Sequence, residues 1–152
     1  SLGYKYLNSE YSDIGENNAI SYVGFTTDPY TKSSVILGLS YNSTDNYYVP
    51  REGIVANTKL EYAGAGGVAQ FNKSFSQFSV YFGLMDYINS DIILRFKSRL
   101  GLIEQKDFLP VEDKFYMGGV RSVRGYNSYS LSPRGGSNNI RIGGKKTSSG
   151  SV

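Results

Sequence analysis

The chain has no cysteine, no histidine and no tryptophan. Without cysteine there is no disulfide frame and no thiolate metal site. With histidine missing as well, a zinc centre or a histidine-based catalytic triad is effectively excluded. No run of about 18 apolar residues occurs, so no membrane-spanning helix is expected. That does not make the chain soluble. A membrane β-strand needs only about 9–11 residues with one apolar face, and a mean hydropathy of -0.33 is compatible with such strands. The charge balance is not strongly one-sided: 16 Lys and Arg against 13 Asp and Glu give a net charge of +3. That is far from the dense basic field of a nucleic-acid binder, and no nucleic acid is expected as a partner. The carboxylates are scattered, with no acid–base pair at a credible site, so neither an enzyme nor a cofactor is expected. No charged leader followed by an apolar stretch opens the chain, and Ser1-Leu2-Gly3-Tyr4 reads as a start inside a strand.

What is abundant is tyrosine (14), phenylalanine (8) and glycine (18), with proline sparse at 4. Such a composition suits many strands, and the periodicity is two rather than 3.6. In residues 91–104 Ile92, Leu94, Phe96, Leu100 and Leu102 share one parity, with Ser98 the one polar residue between them. Arg95, Lys97 and Arg99 share the other. Residues 54–64 alternate likewise, Ile54, Ala56, Leu60 and Tyr62 against Val55, Asn57, Lys59 and Glu61. Residues 34–45 set Val35, Leu37, Leu39 and Tyr41 apart from Gly38, Ser40 and Asn42. Residues 1–12 and 69–84 alternate less cleanly. In 69–84 the phenylalanines change parity between Phe75 and Phe78, which predicts a β-bulge near Ser76-Gln77. About five strands result, of about 11–15 residues, longer than the ordinary 5–6 and suited to a tilted membrane wall.

The connections are a compact turn around Pro50 and Gly53, a second short one at 85–90, a small glycine loop at 63–69, a longer polar loop at 13–34, and a long segment at about 105–147 with no clear strand. Short turns at one end and longer loops at the other fit a membrane β-barrel whose long loops face outward. The plainer alternative is a soluble β-sandwich or adhesin sheet, with the basic faces simply solvated. Five antiparallel strands would leave two open edges, however, and the segment Lys145-Lys146-Thr147 to Val152 offers no closing element. The expectation is therefore a piece of a larger barrel, a single partial domain over 1–152.

Residues 112–134 are too rich in glycine for a helix and too aromatic for a freely solvated loop. Phe115, Gly118-Gly119, Ser122-Val123-Arg124-Gly125-Tyr126 and Ser132-Pro133-Arg134 occur there in order. This series resembles the signature loop of the BamA-type outer-membrane assembly factors of the bacterial surface antigen family. Asp45 followed by Pro50 and Gly53 resembles a second pattern of that family, and Gly143-Gly144 resembles a glycine pair on the loop's return. The resemblance runs from about residue 34 to 145.

The resemblance implies an all-β, transmembrane antiparallel barrel of 16 strands, of which this chain would be a middle portion, preceded in the whole protein by periplasmic POTRA repeats. It implies location in the outer membrane of a Gram-negative bacterium. The activity implied is folding and insertion of β-barrel proteins. Implied partners are outer-membrane lipids, unfolded client proteins and periplasmic lipoproteins of an assembly complex. The loop is implied to fold into the lumen, with Val123, Arg124, Gly125 and Tyr126 as its anchor and Arg124 reaching acidic groups of the inner wall. Phe115, Gly118, Gly119, Pro133 and Arg134 would support it. A guanidinium suits that task, because its rigid fork of donors can grip a carboxylate bidentately. Lys59, Arg95, Lys97 and Arg99 would face the lumen. Two other functions fit the same architecture: a two-partner secretion transporter that exports one dedicated client, and a passive porin in which those four residues and Lys5 line an anion-preferring pore.

Overall fold

The alternation of residues 91–104 becomes a 13-residue strand in a computed structural model of the chain, and its neighbours follow the same logic. The structure describes residues 1–10, 29–84, 92–120, 122–135 and 139–152. Five long strands come first: β1 (Leu2–Ser9), β2 (Tyr30–Asn42), β3 (Gly53–Gly67), β4 (Phe71–Gly83) and β5 (Ile93–Gln105). A 3-10 turn (Val111–Asp113), a two-residue hairpin of β6 (Arg134–Gly135) and β7 (Ile140–Arg141), and β8 (Lys146–Ser151) complete the order. Strands β1 to β5 and β8 form one antiparallel meander in the order β1-β2-β3-β4-β5-β8, with β1 and β8 as open edges.

Three sequence expectations change. First, β8 is a sixth strand of the sheet, paired with β5 from Leu102↔Lys146 to Lys97↔Ser151. The long loop therefore ends at Lys145 and not within a strandless tail. Second, β4 carries no bulge: it keeps unbroken register with β3 from Phe71 to Tyr81 and with β5 from Phe71 to Gly83. The register shift lies instead between β2 and β3. One residue, Ser33, separates Lys32 and Ser34, while three, Gly64, Ala65 and Gly66, separate their partners Gly67 and Ala63. Gly64, Gly66 and Gly67 all have positive φ there, which glycine adopts at little cost. Most of the expected glycine loop at 63–69 is thus the bulged end of β3. Third, β2 starts at Tyr30, so Tyr30 to Ser33 belong to the sheet and not to the preceding loop. The rest of the expected loop at 13–28, and the expected turn at 85–90, lie outside the described residues.

One sheet face is apolar and open. Leu37, Leu39, Tyr41, Leu60, Tyr62, Phe78, Phe82, Leu94, Phe96, Leu100 and Leu102 project from it, all exposed. On β5 the row from Leu94 to Leu102 rises about 27 Å along the strand. At the tilt of a membrane barrel this becomes roughly 20 Å of depth, near the apolar band such barrels present to lipid. The opposite face is polar over most of its area. The hydrophobic core is confined to the end where β3 meets β4: Tyr30, Ala63, Ala69, Phe71, Ile103 and Leu109 are buried, with Phe108 and Phe115 packed against them. That cluster explains the parity change in β4. Phe78, Val80 and Phe82 belong to the open apolar face, whereas Phe71 and Phe75 sit on the polar face, where the long loop covers them.

Candidate functional site

The long loop enters the polar face from the end of β5. Its first residues are tied to the β3–β4 turn: Gln70 donates its N–H to the Phe108 carbonyl (3.0 Å), and the Lys106 and Asp107 amides donate back to the Gln70 carbonyl (3.1 and 3.2 Å). Leu109 and Pro110 are buried behind them. The 3-10 turn then presents Asp113 to the sheet.

Around Asp113 lies a cluster of four charged groups. The Lys32 ammonium donates to both Asp113 oxygens, at 2.9 and 2.8 Å, and lies 3.3 Å from Glu61 Oε1. Lys73 donates to the Asp113 backbone carbonyl at 2.6 Å and lies 3.8 Å from Oδ1. The lysine stems are sheltered by aromatics, Lys32 Nζ 5.5 Å from the Phe71 ring centroid and Lys73 Nζ 5.2 Å from that of Phe115. Lys32 is only 2% exposed. A buried ammonium persists in this way only when its charge is matched and its donors are used.

Beyond the turn, the loop runs as two paired legs. Phe115 and Gly144 exchange both backbone hydrogen bonds at 2.8 Å, and Leu131 N donates to Met117 O at 3.1 Å. Gly143 has φ +71 with Lys114 and Tyr116 side chains against its α-carbon, so a larger residue there would part the legs. Gly118 (φ +111) and Gly119 (φ +92) turn the chain outward, with Gly118 N held by Ser122 Oγ at 2.8 Å and Gly119 bridging Val123. Pro133 accepts from Ile142 N at 2.9 Å, and Arg134 opens the short hairpin opposite Arg141.

The expected loop residues therefore divide. Phe115, Gly118 and Gly119 are half-buried parts of the legs. Arg124, Gly125 and Tyr126 form an exposed tip, Tyr126 at 54% exposure. Gly125 has φ +87, a left-handed turn that suits glycine. Arg124 makes no ion pair among the described residues. Among the described residues the apolar seat of the loop lies at its base, in Phe115, Phe108 and Leu109. Lys59, Arg95, Lys97 and Arg99 share the loop-bearing face, as does Lys5, by their register with Phe75, Gly101 and Ser34. Arg99 donates to Gln77 at 3.2 Å and Arg95 lies over Tyr81.

At the opposite end of the sheet, Asp45, Pro50 and Gly53 build the β2–β3 turn. Asp45 Oδ1 accepts from the Arg51 and Glu52 amides at 2.9 and 3.2 Å. Those amides hold its carboxyl below the usual range. Gly53 has φ +113, and a β-carbon there would lie 2.5 Å from the Ser43 carbonyl oxygen.

Sequence reasoning did not find Lys32, Glu61, Lys73 or Asp113. The available signal was the Glu112-Asp113 pair two residues before Phe115, with lysines on facing strands. Among the described residues no group of three or more carboxylates is placed to hold a metal ion.

A model of the Omp85 superfamily domain matches residues 1–152. The outer membrane protein assembly factor BamA of Nitratidesulfovibrio vulgaris is 31% identical over 137 residues, which is 87% of this chain and 15% of that protein. The crystal structure of BamA from Haemophilus ducreyi lacking POTRA domains 1–3 superposes with a TM-score of 0.71 at 20% identity. That alignment covers 98% of this chain and 32% of the other. The chain thus spans a small part of the length of either relative, and at 20% identity the second likeness speaks to fold alone.

Proposed function

This chain belongs to the Omp85 superfamily and is part of a β-barrel of the outer membrane, and on that premise we propose that its parent protein folds and inserts other β-barrel proteins there. The observation that carries the reading is the similarity to a BamA over most of the chain. Two structural features support it. The apolar face has the depth of a lipid-facing belt, and the loop with Val123, Arg124, Gly125 and Tyr126 is seated on the other face, which would line the lumen. The parent acts as a template rather than as an enzyme. An incoming strand adds to a barrel edge through main-chain hydrogen bonds, so none of its backbone groups is left unpaired in lipid. Lipids, unfolded barrel clients and periplasmic lipoproteins are its partners. Arg124, at the exposed tip, is the group available to grip a carboxylate elsewhere in the whole barrel.

The test uses the full-length protein in cells depleted of the native copy. Arg124→Ala is expected to lower many outer-membrane barrel proteins together. Normal levels of all of them would remove the role given to Arg124. Loss of a single secreted client would indicate the two-partner transporter instead. Large, steady, anion-selective conductance with normal barrel assembly would indicate the porin, a reading favoured by the basic row Lys59, Arg95, Lys97 and Arg99.

A further inference from the structure

The charged cluster at the loop base is divided unequally between wall and loop. The wall supplies Lys32 from β2, Glu61 from β3 and Lys73 from β4, two cations and one anion. The loop supplies only Asp113. With the foot seated but the Asp113 charge absent, the wall would therefore carry an uncompensated positive charge beside Phe71 and Ala63, which are buried. Leaving one member of a buried ion cluster unmatched costs far more than the intact cluster contributes. The wall is thus a preformed receptor for one carboxylate, and Asp113 fills it with both oxygens on Lys32 and its backbone carbonyl on Lys73.

We infer that Asp113 is a positioning residue: it locks the foot of the loop permanently to β2 and β4, so that Gly118 and Gly119 become the hinge and only the tip bearing Arg124 moves. Two observations support the division. The foot is buried at Asp113, half-buried at Phe108 and Phe115, and hydrogen-bonded through all three, whereas Val120, Arg124 and Tyr126 are exposed. The two segments meet at consecutive glycines of positive φ, which can absorb a change of direction. The lock is independent of any partner Arg124 meets. Its value to function rests on the assembly reading above: a fixed foot limits the volume that Arg124 can search.

The experiment uses the full-length protein in native outer-membrane vesicles. Tryptic cleavage after Lys114, half-buried in the foot, is followed by mass spectrometry, the fold of the barrel by heat-modifiable migration, and client levels in cells. Asp113→Asn keeps the shape and removes the charge. It is expected to speed cleavage after Lys114 about tenfold or more, because proteolysis tracks the population of the opened foot. Asp113→Glu should stay near the parent rate. Asp113→Asn combined with Lys32→Met removes the charge and its partner together and should return the rate to within about threefold of the parent. A rate for Asp113→Asn within about twofold of the parent, or a double variant no better than the single, overturns the lock. If Asp113→Asn does not fold, restoration of folding by Lys32→Met supports the lock and failure to restore it overturns it. Loop release with undiminished client assembly would keep the lock and count against the assembly reading. Lost assembly with an unchanged loop would do the reverse.

Discussion

Phe115 drops its ring into the gap left by Gly101. A β-carbon at Gly101 would stand 2.6 Å from Phe115 Cζ and 2.5 Å from Thr147 Cγ2, so the loop leg, β5 and β8 meet at the one position of that row without a side chain. Phe115 also packs 6.2 Å from the Phe75 ring, which places it between two strands. The φ of Gly101 is not in the left-handed region, so the demand for glycine here is one of space.

Gly101→Ala is therefore expected to destabilise the barrel by about 1–3 kcal/mol, the usual range for overpacking a filled site. Phe115→Leu alone should also cost stability, because it leaves a void beside Phe75. The pair together should cost less than the sum, since the smaller leucine side chain makes room for the new methyl group. Urea midpoints of the full-length protein in lipid vesicles measure this. Simple additivity would show that the Gly101 gap and the ring are unrelated.

Asp45 predicts a pH dependence confined to the acidic side. Its carboxyl is lowered first by the Arg51 amide and then by the Glu52 amide, both of which donate to the ionised form. A group with a depressed folded-state pKa contributes stability above its unfolded value, about 3.9. That contribution is lost as pH falls through the lower folded value. The turn should therefore be indifferent to pH from 5 to 8 and loosen only below about 4. In the labelled full-length protein, the Arg51 and Glu52 amide signals should shift across that acidic window. Asp45→Asn should abolish the shift. Movement of those amides near pH 6 in the parent would contradict the assignment.

The belt was legible on β2, β3 and β5 because each puts large apolar groups on one parity, and period two survives without any structure. β8 was not, for a physical reason: Lys146, Ser148 and Gly150 alternate with Thr147, Ser149 and Ser151, so neither face carries a large apolar side chain. It is a strand by virtue of pairing with β5, not by its own pattern. The parity change in β4 was visible but misread. Phe71 and Phe75 point to the polar face because a loop distant in sequence covers them, and no local rule reports that. The loop's special glycines were legible by resemblance, while its foot was not. Lys32 and Asp113 are 81 residues apart, and a lysine among serines reads as solvated surface until the structure buries it. Long-range charge matching leaves no period in the chain.

Neighbouring positions on β5 offer the sharpest test that the apolar face meets lipid. Phe96 lies on the open face, in edge-to-face contact with Phe82 and opposite Val80, while Lys97 points to the loop-bearing face. If lipid covers the first face, Phe96→Arg places a guanidinium in hydrocarbon and should cost about 2–4 kcal/mol near mid-belt. Lys97→Gln changes one solvated group for another and should stay within about 0.5 kcal/mol. Folding of the two full-length variants into lipid vesicles, read from urea midpoints and the heat-modifiable fraction, compares them directly. The residues are adjacent in the same strand, so any general weakness of β5 affects both equally. Equal effects from the two substitutions would mean that the exposed apolar face is covered by something other than lipid.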